Sequence, residues 1–476
     1  MSEHVSRVSR RSLLRAGLAA AAVAAGLPLT SCTTGRDHTS ATNSTTTTSP
    51  STWGPSGTGI ANVHVSDDQN GFHVEPSVAV NARHPHQLLA ACQAAATARD
   101  YQYGPRPAFI ATYFSFDGGQ TWQNGAVPQP PAGQAQASDD VTVAFDVQGR
   151  GYLLASRASN TRGGRVIFAY RTDDGGRSFS APVTLSAGQY SDHPGIAAGA
   201  GQTPSQRNVY VVWAAQDSDG NPALAFTRST DGAQTFESPR HVLTDERPSM
   251  GSAGGKLAAT GHGLVCGACN VAIQQSSGDT VGHVVAVCST DFGQSFAAAV
   301  DLGTEALDIG LPGGIKAKSD SAVAAAPNGE ALYVGYTTHQ PGATHSDIAV
   351  TASHDQGRTW SQPIMATPAD GVTYFQPNLA VDEAGRVAIS AFALEGGKVD
   401  EVVLLSTPGQ LRFGPPLRVT TTAFDPRRGS IDSNEKEGAW WIGDYQGITA
   451  GAGAFHLVWN DTRTGNLELF AASVRP

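Results

Sequence analysis

Side chains suited to acid–base and anion-binding chemistry recur at the starts of short β-rich runs along this 476-residue chain. Glu75 opens EPSVAV, Asp139 and Asp140 open DDVTVAF, and Asp192 and His193 open DHPGIAA. Tyr374 stands just ahead of QPNLAVD, Tyr445 lies inside WWIGDYQ, and Arg162, Arg247 and Arg463 fall in the connecting segments nearby. Carboxylates at such positions can give and take protons, and arginines can hold an anionic group through paired, charge-assisted hydrogen bonds. The Asp192-His193-Pro194 triplet offers two metal-ligand types. A histidine at a strand start with no further ligand spacing around it reads instead as a hydrogen-bonding residue, so no metal is expected. No phosphate-cradling glycine loop, Ser-His nucleophile motif or zinc spacing occurs, and no cofactor is expected.

The elements that must position these residues repeat. EPSVAV, DDVTVAF, DHPGIAA, GGKLAAT, SDSAVAA, QPNLAVD and WWIGDYQ make seven small-and-apolar runs, each followed by a second apolar run such as QLLAACQ, GYLLASR or VYVVWAA. Between them lie five copies of one turn: SFDGGQTW from Ser115, TDDGGRSF from Thr172, STDGAQTF from Ser229, STDFGQSF from Ser289 and SHDQGRTW from Ser353, at intervals of 57, 57, 60 and 64 residues. The aspartate can fold onto nearby backbone N–H groups, glycine can take the positive φ of a tight hairpin, and the closing aromatic has a large face to bury. Asp117, Asp174, Asp231, Asp291 and Asp355 are therefore assigned to architecture. A sixth site, Ser406 to Phe413, lacks the aspartate.

This pattern resembles the Asp-box (BNR) repeat of sialidases and related β-propellers. The resemblance implies an all-β ring of four-stranded blades, seven by the count of runs and six as the alternative, spanning residues 58–476. The last unit has no room for a fourth strand, and IANVHVS at residues 60–66 is expected to supply it, pairing the chain ends so that no sheet edge is left open. In the sialidases a glutamate-activated tyrosine attacks the anomeric carbon, an aspartic acid protonates the leaving oxygen and arginines hold the substrate carboxylate. That scheme nominates Tyr374 as nucleophile, Asp139 or Asp140 as acid, and Arg162, Arg247 and Arg463, with His193 and Tyr445, as substrate-binding residues. No Phe/Tyr-Arg-Ile-Pro motif precedes the first box, and Glu75 stands near where its arginine would be. The expected function is thus a glycan-directed propeller of exo-sialidase type, with a non-catalytic glycan- or protein-binding ring or scaffold as the alternative.

Residues 1–31 contain Ser9-Arg10-Arg11-Ser12-Leu13-Leu14-Arg15 and an apolar run, Ala16 to Leu29, which resemble a twin-arginine export signal. Leu29-Thr30-Ser31-Cys32 resembles a lipobox, which implies lipidation of Cys32 and attachment outside the cytoplasmic membrane, or release by secretion. Residues 32–57, rich in Ser and Thr, read as a flexible tether. The formal charge of −10 and the lack of basic runs argue against nucleic acid and leave a glycan, met by a monomer, as the expected partner, with membrane contact through lipid alone. Folding VCGACNVAI against HVVAVCS about Gly278 predicts a Cys269–Cys288 disulfide, and Cys92 reads as a buried thiol.

Overall fold

The computed structural model describes residues 59–103, 108–130, 137–158, 165–244, 249–274, 280–305, 309–317, 321–339, 344–434 and 439–476. The signal segment 1–31, Cys32 and the tether to residue 57 lie outside them. Seven four-stranded antiparallel sheets follow one another as blades. The first runs Phe72–Val80, Leu88–Ala95, Phe109–Ser115 and Gln123–Asn124 from the axis outward. The innermost strands of the next five are Ala137–Phe145, Asp192–Ala200, Ser249–Ala259, Ala322–Ala325 and Thr373–Val381. The seventh blade consists of Gly447–Gly451, Ala454–Asp461, Glu468–Val474 and, as its outer strand, Val63–His64 from the other end of the ring.

That closure is the expected one. Val63 pairs with Ala471 and His64 with Phe470, the Val65 amide donates to Leu469 at 2.9 Å, and the His64 imidazole meets Glu468 at 2.9 Å. Ring closure pairs the two chain ends within one blade and leaves only the outermost strands as edges.

Why apolar runs become second strands follows from how blades stack. Leu88–Ala95 is buried along its whole length because both its faces meet neighbouring sheets, so strict in–out alternation is lost. The core is a set of layers between successive blades. Tyr152 and Leu154 of the second pack on Val209, Val211 and Trp213 of the third, and Cys266 and Ala268 of the fourth on Leu332 and Val334 of the fifth. Each fully buried leucine or valine contributes on the order of 1.5–3 kcal/mol. Where innermost strands of adjoining blades approach each other there is little room: a Cβ on Gly447 would meet Val78 of the first blade at 3.0 Å.

The five aspartate turns adopt the geometry their residues demand. In the first, Asp117 Oδ1 accepts from the amides of Gln120 and Thr121 at 2.9 Å, and Ser115 Oγ accepts from the Gly119 amide at 2.9 Å. Two successive residues take positive φ in each: Gly118 and Gly119 there, Gly232 and Ala233 in the third, Phe292 and Gly293 in the fourth. These turns join the third and fourth strands, on the rim opposite the starts of the innermost strands.

Two expectations are corrected. The disulfide joins Cys266 to Cys288, not Cys269 to Cys288. Cys266 lies directly opposite Cys288 in the ladder while Cys269 faces Val285, so the hairpin centre falls one to two residues earlier than Gly278 and shifts the partner by three. An odd shift also changes faces: Cys269 is buried outside the disulfide and packed toward the third blade, and Cys92 is likewise buried and not disulfide-bonded. Second, WWIGDYQ is not an innermost strand. Ala439–Trp441 instead joins an eighth sheet with Ile431–Asn434, Ile309–Leu311 and Ile315–Ala317, its Trp440 and Trp441 pairing in parallel with Ile315 and Lys316. Among the described residues the single helix is Ala98–Tyr103, and none is long and apolar enough to cross a membrane.

Candidate active site

The innermost strands do not start regularly. Their pairing skips two residues at Glu75-Pro76, Asp139-Asp140, His193-Pro194, Gly254-Gly255 and Gln376-Pro377. At three of these sites a proline, which cannot donate to a ladder, favours the bulge; Asp139-Asp140 and Gly254-Gly255 bulge without one. The residue before each proline takes a left-handed backbone, with φ of 60° at Glu75, 44° at His193 and 53° at Gln376. Such a conformation costs a non-glycine residue about 1–3 kcal/mol, a strain that gathers at functional sites. Here all three strained residues turn toward one segment, Gly443 to Gln446.

That segment is the hub of the ring. The Asp444 amide donates to Glu75 Oε1 at 3.2 Å, and the Gln376 side-chain amide donates to the Gly443 carbonyl. Gln446 returns a hydrogen bond to the Gln376 carbonyl at 3.0 Å. Tyr445 crosses to the second blade, its hydroxyl accepting from the Val141 amide at 3.1 Å and donating to the Val141 carbonyl at 3.3 Å. The Lys256 ammonium of the fourth blade lies 3.8 Å above the Tyr445 ring. His193 meets the same ring edge-on, with centroids 6.3 Å apart.

Around His193 the carboxylates are ordered by burial. Asp140 is 3 % exposed; its Oδ1 lies 3.5 Å from His193 Nδ1, and its Oδ2 accepts from the His193 amide at 3.2 Å and from Ser156 Oγ at 3.3 Å. The other imidazole nitrogen, Nε2, points to Asp444 Oδ2 at 4.0 Å. Trp441 Nε1 donates to Asp444 Oδ1 at 2.7 Å. Glu75, also 3 % exposed, is gripped by Gln93, which in turn accepts from the Tyr101 hydroxyl at 2.8 Å. Asp192 and Asp444 are the accessible pair, their side chains each 15 % exposed. Arg165 lies against Asp192 and within 3.6 Å of Asp140. Asp140, Asp192 and His193 bring their ligand atoms within 4.8 Å of one another, yet the guanidinium already stands where a metal's charge would be.

Asp140, His193 and Tyr445 are thus brought together. Tyr374 is not. It is fully buried, its hydroxyl donates to Asp370 at 3.0 Å, and burial together with that carboxylate pushes its phenol far above the ordinary range, which is the opposite of a nucleophile's environment. Arg463 is turned outward, bound to Asp461 at 2.9 and 2.5 Å and to Asn62, just ahead of the closing strand, at 2.9 Å. A carboxylate two residues back along the chain captures it. Arg162, Arg247 and the Asp139 side chain lie outside the described residues. Asp444, Lys256 and Gln376 escaped the sequence reading. The aligned Glu-Pro, His-Pro and Gln-Pro pairs were the available signal for Gln376, while nothing local marked Lys256.

The fold defines a class: a seven-bladed β-propeller carrying Asp-box turns. Residues 113–124, spanning the first turn, match the BNR/Asp-box repeat. Solved structures resemble the chain in fold at low identity. A protein of unknown function from Dyadobacter fermentans is 17% identical over 76% of this chain and 98% of its own, with a TM-score of 0.48. An α-L-arabinofuranosidase from Fusarium graminearum is 13% identical over 70% of this chain and 92% of its own, at 0.45. A sialidase from Streptococcus pneumoniae is 13% identical over 87% of this chain and 70% of its own, at 0.41. No curated protein matches the sequence.

Proposed function

We propose that the protein is a glycoside hydrolase whose reaction centre is the Asp192–His193–Asp444 cluster at the mouth of the ring. The observation that carries this reading is the division of four carboxylates by exposure. Glu75 and Asp140 are buried and hold other groups in place, while Asp192 and Asp444 flank His193 and reach solvent. Glycosidic cleavage asks for one carboxyl group that gives a proton and one that stays charged. Asp192 beside Arg165 suits the charged role, stabilising the developing oxocarbenium ion or activating the attacking water. Asp444, facing His193 Nε2, suits the acid: it protonates the leaving oxygen as the bond from the anomeric carbon breaks, and is reprotonated from solvent through the imidazole. Tyr190, exposed and hydrogen-bonded to Asp192 at 3.1 Å, offers a ring face for a sugar.

Exo-sialidase activity is the narrower form of this reading, and charge weighs against it. At the mouth a sialoside carboxylate would meet Asp192 and Asp444, with Asp140 and Glu75 behind them, against Arg165. A neutral sugar fits better. The signal-like segment and Cys32 further suggest an exported, lipid-anchored protein, testable by fractionating cells that express the native protein beside a Cys32→Ala variant.

The test of the main reading is turnover. Purified protein is incubated with neutral and sialylated aryl glycosides and with polysaccharides, and sugar release is followed. At least one neutral substrate is expected to turn over, with Asp192→Asn and Asp444→Asn each lowering kcat about 10²–10⁴-fold. Binding of glycans without turnover of any would overturn hydrolysis and leave the binding-ring alternative.

A further inference from the structure

Beneath the acidic cluster the axis of the ring holds a separate cavity of about 150 Å³, to which all seven blades contribute. Its lining carries one formal charge, Lys256, set among Ser77, Thr142, Asn378, Tyr445 and Gln446 and otherwise apolar side chains. The ammonium is held over the Tyr445 face at 3.8 Å, and no carboxylate among the described residues pairs with it. Arg165, at the mouth above, has two. A confined cation with only a ring face for company lacks the counter-charge that such groups acquire in proteins.

Hydroxyl donors stand ready beside it. Ser77 Oγ and Thr142 Oγ1 are 3.4 Å apart, and Ser77 already accepts from the Val143 amide at 3.1 Å; whichever hydroxyl donates to the other, one proton of the pair is left for the space. With liquid water taking roughly 30 Å³ a molecule, the cavity has room for a small anion with a few waters, and the single charge of Lys256 matches a monovalent one. We propose that this cavity is a binding site for a small monovalent anion, held by Lys256 with the hydroxyls of Ser77 and Thr142. Tyr445 links it to the mouth, since the ring that carries Lys256 on its face also packs against His193.

Chloride is the probe, and its ³⁵Cl NMR linewidth reports binding whether or not the protein cleaves anything. Wild type is expected to give saturable excess broadening, Lys256→Arg to retain most of it, and Lys256→Met to lose it at least fivefold while keeping the wild-type melting temperature. Acetate that narrows the line would show that carboxylates share the site; acetate without effect would restrict it to halides, and either result upholds an anion site. Should Lys256→Met fail to fold, Thr142→Val is expected to weaken the broadening severalfold. Wild type without a saturable component, or folded Lys256→Met broadening as wild type does, overturns the proposal.

Discussion

Glu401 lies on the third strand of the sixth blade, Lys398–Leu405, fully buried and facing Gln446 behind the hub. Both its carboxyl oxygens and Gln446 Oε1 lack hydrogen-bond donors. One proton on Glu401 would satisfy the pair, donating to Gln446. Burial, with the nearby Asp461 carboxylate adding to it, pushes the acid well above its ordinary value of 4.5 and outweighs the opposing contact with Gln446. The unfolded chain ionises near 4.5 and the folded chain does not, so the unfolded state binds fewer protons as pH rises. The stability this group contributes is present below 4.5 and drains away upward at about 1.4 kcal/mol per pH unit until the folded carboxyl itself ionises. Glu401→Gln keeps the shape and an N–H donor for Gln446 but cannot ionise. Urea unfolding at pH 5, 6 and 7 should place the two proteins within about 1 kcal/mol at pH 5. The variant should then gain on wild type by up to about 1.4 kcal/mol for each further unit. Parallel pH profiles would refute a neutral Glu401.

Other expectations follow from particular contacts. Burial alone would raise the Asp291 carboxyl, but the hydroxyl and amide of Ser295 and the hydroxyl of Ser289 hold it at about 2. Its contribution is therefore present above 3.8 and is lost as pH falls through about 2; because the site is open to solvent, Asp291→Ala should cost at most about 1 kcal/mol and leave sugar release unchanged. Tyr374→Phe removes a buried hydroxyl bond to Asp370 and should lower stability by about 1 kcal/mol while kcat stays within about twofold, measured by urea melts and turnover. The Cys266–Cys288 bridge closes a separation of 22 residues, so replacing both with serine should cost about 3 kcal/mol in chemical denaturation, whereas Cys269→Ser should leave the bridge intact by thiol titration.

The ring was legible because its signals are local. Asp117 and its four counterparts announce their turns through side chain, glycine and aromatic together, and IANVHVS announced a strand needing a partner. The candidate site was only half legible for the same reason. Asp140, His193 and Tyr445 stand at repeat positions, but their meeting depends on bulges that no single repeat specifies. Tyr374 sits only two residues before Gln376, yet it lies ahead of the Gln376-Pro377 bulge and faces the core. Arg463 was judged by its position in the blade, while Asp461 decides where it points. Trp440 and Trp441 were assigned to the nearest blade because a parallel pairing with Ile315 and Lys316, more than a hundred residues away, leaves no mark on either segment.

The account rests most directly on Asp444 as the acid that protonates the leaving oxygen. Its sharpest test is kcat/KM for Asp444→Asn on two aryl glycosides of the same sugar, one with a leaving phenol that needs protonation and one with a dinitrophenol that does not. The asparagine keeps an acceptor for the Trp441 N–H, so the site should remain assembled. Loss of about 10²–10⁴-fold on the first substrate with less than about tenfold on the second is the predicted result. An equal loss on both would contradict it.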